Sequence, residues 1–484
     1  MFLGIDIGTS SVKLSLVSAD LVQIGEADAP LNVQTPQPYW SEQDPEDWWR
    51  ALCAACSRLR LDHDLSGVRG IGLSGQMHGA VVLDADARVL RPAILWNDGR
   101  SHAECEQMTA EMPEIGMVAG VPPMPGFTAP KLRWLATHEP EVHSKIGHIL
   151  LPKDYVGHRL HGGFVMDRSD AAGTHWLDQA AREWSSALGE VSRIDPAWLP
   201  GLVDGTEVAG TLTPGVAADL CLPAGIPVAA GGGDAATGAV GVGAVADSDT
   251  FISLGTSGQL FVATDSYRPN PDQMVHAYCH TVPGMWFQMA AMLNGARPMQ
   301  WYADVVGASV GELLEQAATS PAEDAPLFLP YLTGERSPHG DAHIRGSFYG
   351  LADGMGRAEM MRGVVNAIAY SFADAADSLR AAGTAIRAPL AIGAGARSDL
   401  LLQTIADVLQ VAVHRAAGAA TGPAFGAARL AAVASGRAAI ADLGARPGIE
   451  RVVEPGSGDG HRRNQSGYRA LYRRLKDIHL DYAE

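Results

Sequence analysis

A single carboxylate, Asp234, lies where a short apolar run gives way to a run of very small residues. Residues 226–243 pass from that apolar run through three consecutive glycines to Asp234, and then to a segment of alanine, threonine, valine and glycine. Glycine lets a ligand approach the backbone closely, and the point where a strand ends and a helix begins is the usual ligand crevice of an open α/β sheet. Asp234 is therefore a candidate catalytic base at a phosphate or sugar site. The alternative is a carboxylate that only caps its helix by accepting hydrogen bonds from free N–H groups.

Two hydroxyl-rich turns are candidates for binding phosphate. A Gly-Thr-Ser tripeptide occurs at 8–10 and again at 255–257, about half a chain later, and each copy lies between runs of alternating apolar residues. Backbone N–H and hydroxyl groups in such a turn can bind an anion, and Lys13 can add a point charge beside the first copy. The alternative is an ordinary polar hairpin turn. The matching context indicates an internal duplication, in which two similar domains hold a polyphosphate from both sides.

Only the first copy of the repeat carries an acid. Asp6 precedes the first turn, whereas Ser253 occupies the corresponding place in the second copy. Mg²⁺ keeps several of its waters and needs only one or two carboxylates beside the substrate phosphates. The asymmetry therefore predicts a single metal site at Asp6.

A third glycine-rich turn is a candidate for the nucleotide. Residues 393–398 follow an apolar run and lead into a helix that begins at Asp399. Such a strand-to-helix turn suits an adenosine or its α-phosphate, although a tight turn without function is the equal alternative. The chain contains no Gly-Lys dipeptide, which excludes a P-loop, and the turn lacks the third glycine of a dinucleotide-binding fingerprint.

Composition excludes several classes of protein. A chain of 484 residues is too long for one core and predicts two domains. The net charge of −18 and the presence of only five lysines argue against a nucleic-acid partner. No apolar run is long enough to span a membrane, and the N-terminus lacks the basic region of a signal peptide. The five scattered cysteines are interpreted as reduced thiols of a cytoplasmic protein, for which a homodimer is possible.

The first elements predict how these groups are positioned. Residues 2–17 read as a β-hairpin, a third strand follows, a helix begins at Asp44 with a proline and two acids behind it, and a strand covers 68–73. The order β-β-β-α-β differs from the β-α-β start of a dinucleotide-binding unit. Two acidic stretches, 153–155 and 169–171, are interpreted as structural hydrogen-bonding groups.

Four segments match the signatures of one family. They are Gly75-Gln76-Met77-His78-Gly79, residues 94–100, residues 126–135 and residues 346–366, the last departing from the pattern at Gly363 and Asn366. In these segments the chain resembles the FGGY family of sugar kinases. The resemblance implies an α/β fold of two duplicated actin-like, hexokinase-like (ribonuclease H-like) ATPase domains with a cleft between them. We expect an N-terminal domain at 1–245, a C-terminal domain at 246–484 and a hinge near 244–249.

The resemblance also implies roles for individual residues. Asp234 would be the catalytic base and Asp6 the metal-associated carboxylate, with ATP and Mg²⁺ as cofactors. The other implied contacts are Met77, His78 and Trp96 with the sugar; Thr9, Ser10, Gly255 and Thr256 with phosphate; and Gly395 and Asp399 on the adenosine side. The helix N-terminus is expected to lower the pKa of Asp234.

The implied reaction is ATP-dependent phosphorylation of a ketopentose, with D-xylulose as the first candidate. L-ribulose, another ketose or a polyol stays open as substrate, because Ala235 stands where members of the family often carry an amide. Two further alternatives are an actin-like ATPase that moves a partner and a catalytically silent sugar sensor. Release of ADP that depends on a sugar would separate the kinase from both.

Overall fold

The structure is a computed structural model that describes residues 1–417 and 422–478. Each half of the described chain is built on one large mixed sheet. The first sheet has the strand order β5-β6-β4-β1-β2-β3. Its strands are β1 (Phe2–Ile7), β2 (Ser11–Val17), β3 (Gln23–Pro30), β4 (Ile71–Gly75), β5 (Val208–Thr211) and β6 (Pro227–Gly233).

The second sheet has the strand order β9-β10-β8-β7-β11-β12-β13. Its strands are β7 (Thr250–Leu254), β8 (Gly258–Thr264), β9 (His276–Cys279), β10 (Trp286–Met292), β11 (Leu390–Ile392), β12 (Val413–Ala416) and β13 (Ile449–Val453). Short two-stranded pairs lie outside both sheets: Glu42–Gln43 with Ala93–Ile94, Val81–Leu83 with His148–Leu150, Val165–Asp167 with Gly201–Val203, Leu177–Asp178 with Glu183–Trp184, and Leu327–Leu329 with Ser347–Tyr349.

Helices cover the sheets or carry residues of the candidate site. Eight of them are α1 (Pro45–Asp62), α2 (Thr128–His138), α3 (Pro152–His161), α4 (Asp234–Val242), α5 (Arg357–Ala381), α6 (Asp399–Leu409), α7 (Pro423–Ala434) and α8 (Asp459–Leu475). Further helices span His102–Glu111, Ile115–Ala119, Pro140–His143, Arg168–Ala172, Ser186–Val191, Pro214–Leu220, Arg297–Val306 and Val310–Ala317. No helix in the described ranges is both long and apolar enough to cross a bilayer.

The first elements follow the predicted β-β-β-α-β order. The carboxylate of Asp44 accepts a hydrogen bond from the N–H of Glu46 at 3.0 Å, which caps α1 as predicted. The next strand begins later than predicted, at Ile71. Val68 instead ends a short 3₁₀ turn, because its N–H is bonded to the carbonyl of Leu65.

The two sheets repeat one arrangement, as the duplicated turns predicted. β1 and β2 form an antiparallel hairpin with β4 parallel to β1, and β7 and β8 form an antiparallel hairpin with β11 parallel to β7. Each Gly-Thr-Ser turn therefore connects the two strands of the hairpin in its own sheet. This repetition confirms the α/β fold with two similar halves.

Helix α7 belongs to the late part of the chain but packs on the first sheet. A Cβ atom added at Gly4 or Gly72 would lie 1.8 Å from the carbonyl oxygen of Ala424 or Ala427, respectively. These glycines are required because the helix backbone lies directly on the strands. At Gly426, an added Cβ would lie 1.9 Å from the Thr237 carbonyl, so α7 is equally close to α4. Helix α4, which begins with Asp234, is thus packed closely against α7, a helix from the other half of the sequence.

Candidate active site

Three parallel strands of the first sheet end side by side at one edge. β4 pairs with both β1 and β6, and Ile7, Gly75 and Gly233 stand opposite one another in register. The first Gly-Thr-Ser turn, the loop 76–78 and Asp234 directly follow these three positions. The structure therefore brings together the groups predicted for phosphate, for sugar and for catalysis in this half of the chain.

The glycine run before Asp234 has a steric cause. Gly231 has φ +74°, and a Cβ atom there would lie 1.8 Å from the carbonyl oxygen of Leu73 in β4. Only glycine combines this dihedral with so close an approach. The resulting bulge in β6 sets the direction in which the strand enters α4.

Asp234 is the first residue of α4, and Gly233 occupies the N-cap position. Its side chain accepts a hydrogen bond from the N–H of Ala235 at 2.8 Å and is open to water on one side. Asp234 is exposed by its accessible area, yet the wider neighbourhood of its carboxylate is crowded with protein atoms. This desolvation and, after it, the negative charge of Asp6 together raise the pKa of Asp234 to about 7.

The expectation that the helix N-terminus lowers the pKa of Asp234 is wrong in its net direction. The N–H of Ala235 does favour the charged carboxylate, but burial and the charge of Asp6 outweigh it. A pKa near 7 suits a general base that must accept a proton at neutral pH. The geometry thus favours the catalytic interpretation of Asp234 over the capping alternative.

Asp6 is buried in β1 and faces the same edge of the sheet. Burial raises its pKa to about 6, while a hydrogen bond with Ser74 and the charge of Lys13 act in the opposite direction. Lys13 stands opposite Asp6 in the hairpin. One oxygen of Asp6, Oδ1, is buried without a hydrogen-bond partner. Two neighbouring carboxylates, one with an unsatisfied oxygen, fit a divalent cation held through water.

Within the described residues, no group of three or more His, Cys, Asp or Glu side chains could hold a metal ion. A cation near Asp6 would therefore need phosphate oxygens and water as its other ligands. That requirement is typical of Mg²⁺ bound with a nucleotide.

The first turn is held by three side chains, of which only Trp96 was predicted to be a site residue. The hydroxyl of Thr9 donates to Gln76 Oε1 and accepts from Trp96 Nε1, both at 2.9 Å, and Gln43 Nε2 donates to the Thr9 carbonyl at 2.8 Å. The Thr9 hydroxyl proton is engaged in this network. The exposed Ser10 hydroxyl and the backbone N–H groups of the turn are therefore the donors that could bind a phosphate. The network joins the predicted sugar contact Trp96 to the predicted phosphate turn.

Met77 and His78 lie beside Asp234. A Cβ atom at Gly233 would lie 2.8 Å from Met77 Cγ, so the Met77 side chain packs on the residue before the carboxylate. His78 Nδ1–H donates to the carbonyl of Gly173 at 2.6 Å, which leaves Nε2 as an acceptor. Burial, together with nearby positive charges, holds the pKa of His78 well below its usual value, so the ring is neutral.

The backbone of His78 is left-handed, with φ +70°, and is held by two side chains of α2. Lys131 Nζ and the Thr128 hydroxyl donate to the His78 carbonyl at 2.9 and 3.1 Å. Lys131 also donates to the carbonyl of Ile94 at 3.0 Å. Both side chains lie in the segment 126–135. This segment therefore belongs to the site, although it is distant in the sequence from the loop 76–78.

A cavity of about 450 Å³ lies between the two halves beside His78. The first half contributes His78, Trp96 and Phe127, and the second contributes Leu293 and Arg336. A larger cavity, of about 990 Å³, lies at the opposite edge of the first sheet, next to the turn after β2, and contains none of the predicted site residues. The smaller cavity is therefore the one that belongs to the candidate site.

In the second half, the predicted nucleotide residues are partly brought together. The carbonyls of Gly255 and Thr256 accept hydrogen bonds from Ala296 and Gly295 at 2.7 and 3.0 Å. β7 and β11 run in parallel, and a Cβ atom at Gly395 would lie 2.9 Å from the side chain of Leu254, so the third turn adjoins the second.

Asp399 begins α6, and its carboxylate pairs with Arg415 and Arg451, which lower its pKa. In the described part of the chain, no hydrogen bond or ion pair joins the turns 8–10 and 255–257. Their convergence on one triphosphate stays a prediction.

The acidic stretches around Lys153 form a buried cluster beneath β6. Lys153 pairs with Asp154, with Asp167 at 3.0 Å and with Asp170 at 3.6 Å, and it donates to the Ala230 carbonyl at 3.3 Å. Burial and the other carboxylates raise the pKa of Asp170 well above its usual value, although Lys153 opposes this shift. These contacts agree with the structural interpretation, and they support the strand that carries Asp234.

Two family models match the chain: the N-terminal domain of the FGGY family of carbohydrate kinases at 1–241 and its C-terminal domain at 250–435. A protein named xylulose kinase from Escherichia coli (strain K12) is 44% identical over 437 residues, 90% of each chain. A xylulose kinase from Staphylococcus epidermidis (strain ATCC 12228 / FDA PCI 1200) is 35% identical and covers 99% of this chain and 98% of its own.

Solved structures agree with these relatives. A kinase from Brucella ovis, described as a xyloylose kinase, superposes with a TM-score of 0.95 at 42% identity and covers 99% of both chains. Glycerol kinase from Plasmodium falciparum, at 18% identity, 99% and 98% coverage and a TM-score of 0.88, bears only on the fold. The family signatures, both domain models and the long alignments agree, and the chain belongs to the FGGY family of carbohydrate kinases.

Proposed function

We propose that this chain is an ATP-dependent ketopentose kinase that converts D-xylulose to D-xylulose 5-phosphate. The observation that carries the proposal is the register of β1, β4 and β6, which sets a hydroxyl-rich turn, the Met77–His78 pair and Asp234 side by side. The substrate follows the relatives named xylulose kinase, which align over most of this chain.

Asp234 acts as the general base. Phosphoryl transfer has a loose transition state in which the attacking hydroxyl keeps its proton until late, so positioning matters more than base strength. The carboxylate accepts a hydrogen bond from the sugar hydroxyl and receives the proton as the new O–P bond forms. Its pKa of about 7 leaves about half of the base ionised at neutral pH, so it can accept the proton as the O–P bond forms and afterwards release it to water.

Met77, His78 and Trp96 bind the sugar. His78 Nε2 accepts a hydrogen bond from a sugar hydroxyl, because the ring proton is on Nδ1 and is donated to the Gly173 carbonyl. Trp96 offers an apolar ring while its N–H holds Thr9, so sugar and phosphate contacts are linked. Ala235 supplies no amide at the place where relatives often have one. Because a sugar hydroxyl would lose that partner, L-ribulose and other ketoses are also to be tested as substrates.

Kinases of the FGGY family use ATP and generally a divalent metal. We assign Mg²⁺ to the space beside Asp6, where it would neutralise charge on the triphosphate. Ser10, Thr9 and Lys13 lie on the first side of the triphosphate, and Gly255 and Thr256 on the second. Gly395 and Asp399 face the adenosine. The domains 1–245 and 246–484 then close on the substrates, with α7 staying on the first sheet, and exclude water, a competing acceptor for the phosphoryl group.

A kinase with these cofactors suits the cytoplasm, and a homodimer is the first oligomeric state to test. All five cysteines are free, which agrees with a reducing compartment.

The test is ADP release across pentuloses and polyols by the wild type and Asp234→Asn. We expect D-xylulose to give the highest kcat/KM, and the variant to lose about three orders of magnitude or more in kcat with nucleotide affinity retained. Asp304→Asn, at an exposed carboxylate, is the control and should keep full activity. Near-normal turnover by Asp234→Asn would show that the carboxylate only caps its helix.

A further inference from the structure

The cavity beside His78 contains a guanidinium that forms no ion pair with any carboxylate in the described residues. Arg336 lines it from the second half of the chain. Across residues 1–417 and 422–478, no carboxylate forms an ion pair with Arg336, and its side chain makes no hydrogen bond. Burial lowers its pKa, which means that the surrounding protein disfavours the charge it carries. Arg336 is half-buried, and a guanidinium in such a place has hydrogen-bond donors that a ligand of opposite charge can satisfy.

The two carboxylates that also line this cavity are already committed. Glu335 accepts hydrogen bonds from the N–H of Leu293 at 2.6 Å, the N–H of Arg336 at 2.8 Å and the amide of Asn294 at 3.3 Å. Asp98 pairs with Arg100 through two hydrogen bonds, at 2.9 and 2.7 Å. Glu335 still acts on Arg336 through its charge, which opposes the lowering of the Arg336 pKa, but neither carboxylate accepts a hydrogen bond from the guanidinium.

The rings near Arg336 are neutral. Its positive charge adds to burial in lowering the pKa of His78, and in lowering that of His276 to about 3, so both rings are uncharged at neutral pH. The hydroxyl of Tyr278 is buried without a partner. The site thus presents a guanidinium with free hydrogen-bond donors beside neutral rings, with the Glu335 carboxylate nearby but bonded to other donors.

The loop that carries Arg336 is fixed. Glu335 and Asp341 exchange two backbone hydrogen bonds at 2.8 Å, and Ser337 N–H donates to the carbonyl of Ala291 at 3.2 Å. The Ser337 hydroxyl also accepts from the N–H of Ala291 at 3.1 Å. These bonds tie the loop to β10, so the guanidinium is presented from a preorganised position.

The cavity includes His78 and Trp96 but neither Asp6 nor Asp234. A ligand whose reacting hydroxyl lies at Asp234 would pass His78 and direct its opposite end to Arg336. We propose that Arg336 forms a carboxylate subsite for that far end, and that the protein binds five-carbon aldonates, acyclic polyols with a terminal carboxylate, in the sugar site. The orientation of the ligand rests on the proposed kinase function, whereas the subsite itself does not.

A carboxylate fits because a planar guanidinium can donate two parallel hydrogen bonds to it. The net charge of the chain is −18, so general electrostatics would repel an anion rather than attract it. A preference for the anionic ligand would therefore have a local cause.

The test compares D-xylonate with xylitol, which has the same chain length and no charge. Binding is measured by calorimetry without nucleotide, at fixed ionic strength. We expect the wild type to bind D-xylonate about tenfold or more tightly than xylitol, and Arg336→Met to lose this preference while still binding xylitol. Arg336→Lys should keep part of it. Arg297→Met, at an exposed arginine in the same half, should keep all of it.

Equal binding of the two ligands by the wild type, or an unchanged preference in Arg336→Met, would overturn the subsite. Thermal melting of each variant verifies folding, and Arg336→Lys serves if Arg336→Met does not fold. Turnover of D-xylulose by a wild type that shows no preference would remove this inference alone. A preference that depends on Arg336, in a protein that phosphorylates no pentulose, would remove the proposed function alone.

Discussion

The raised pKa of Asp234 predicts a pH profile that an ordinary aspartate would not give. The base works only when it is ionised, and its pKa is about 7 instead of the usual 3.8. The kcat/KM for D-xylulose should therefore fall as the pH falls through about 7. One pH unit below the pKa only about one tenth of the base is ionised, so the rate should drop about tenfold for each further unit.

The charge of Asp6 is part of the cause, which gives a second, sharper test. Asp6→Asn removes a neighbouring negative charge that disfavours ionisation of Asp234. We expect the acid limb of the variant to move to lower pH by about one unit, on the residual activity that remains. Desolvation by the surrounding protein, the larger cause, is unchanged in the variant, so the limb should stay well above that of an aspartate free in solution.

The assay is coupled ADP release at saturating MgATP and limiting D-xylulose, from pH 4.5 to 9. Titration of the nucleotide affects the wild type and Asp6→Asn equally. The difference between their pH profiles therefore reports the effect of the Asp6 charge. Because the two carboxylates interact, each profile reports apparent values of the pair. A wild-type acid limb below pH 5, or a limb that moves upward in Asp6→Asn, would refute the reasoning.

Two further predictions concern the support of the site. Lys153→Met leaves buried carboxylates without their cation and should lower the free energy of unfolding by about 3–5 kcal/mol in urea titrations, whereas Lys145→Met, at an exposed lysine, should change it little. Gly72→Ala places a Cβ 1.8 Å from the Ala427 carbonyl and should cost about 1–3 kcal/mol by displacing α7. Gly215→Ala is its control, because a Cβ atom at this helical glycine would meet nothing within 4 Å. Equal melting temperatures of the two variants would show that α7 shifts without cost to accommodate the Cβ atom.

Local signals predicted the first elements well. The turn at 8–10, the cap at Asp44 and the repeated hairpin depend on residues close together in the sequence, and the structure agrees with the prediction for each. The start of β4 differs from the prediction because Val68, apolar like the strand residues that follow, closes a 3₁₀ turn with Leu65.

Distant contacts decided the rest of the site. Trp96 reaches Thr9 across 87 residues, and Lys131 reaches the His78 carbonyl across 53, so neither partner could be inferred from spacing. The free donors of the Arg336 guanidinium also depend on the tertiary structure, because Glu335 is hydrogen-bonded to Leu293 and Asn294 instead.

The sequence by itself determined the types of chemical group, their order along the chain and the family that carries them. The tertiary structure decided which groups meet and how they titrate. The pKa of Asp234 shows the difference, since the sequence predicted a decrease from the helix N-terminus and the structure gives an increase from burial and Asp6. The physical reason is range: capping and hairpin turns act over a few residues, whereas desolvation and charge repulsion depend on every group that folding brings near.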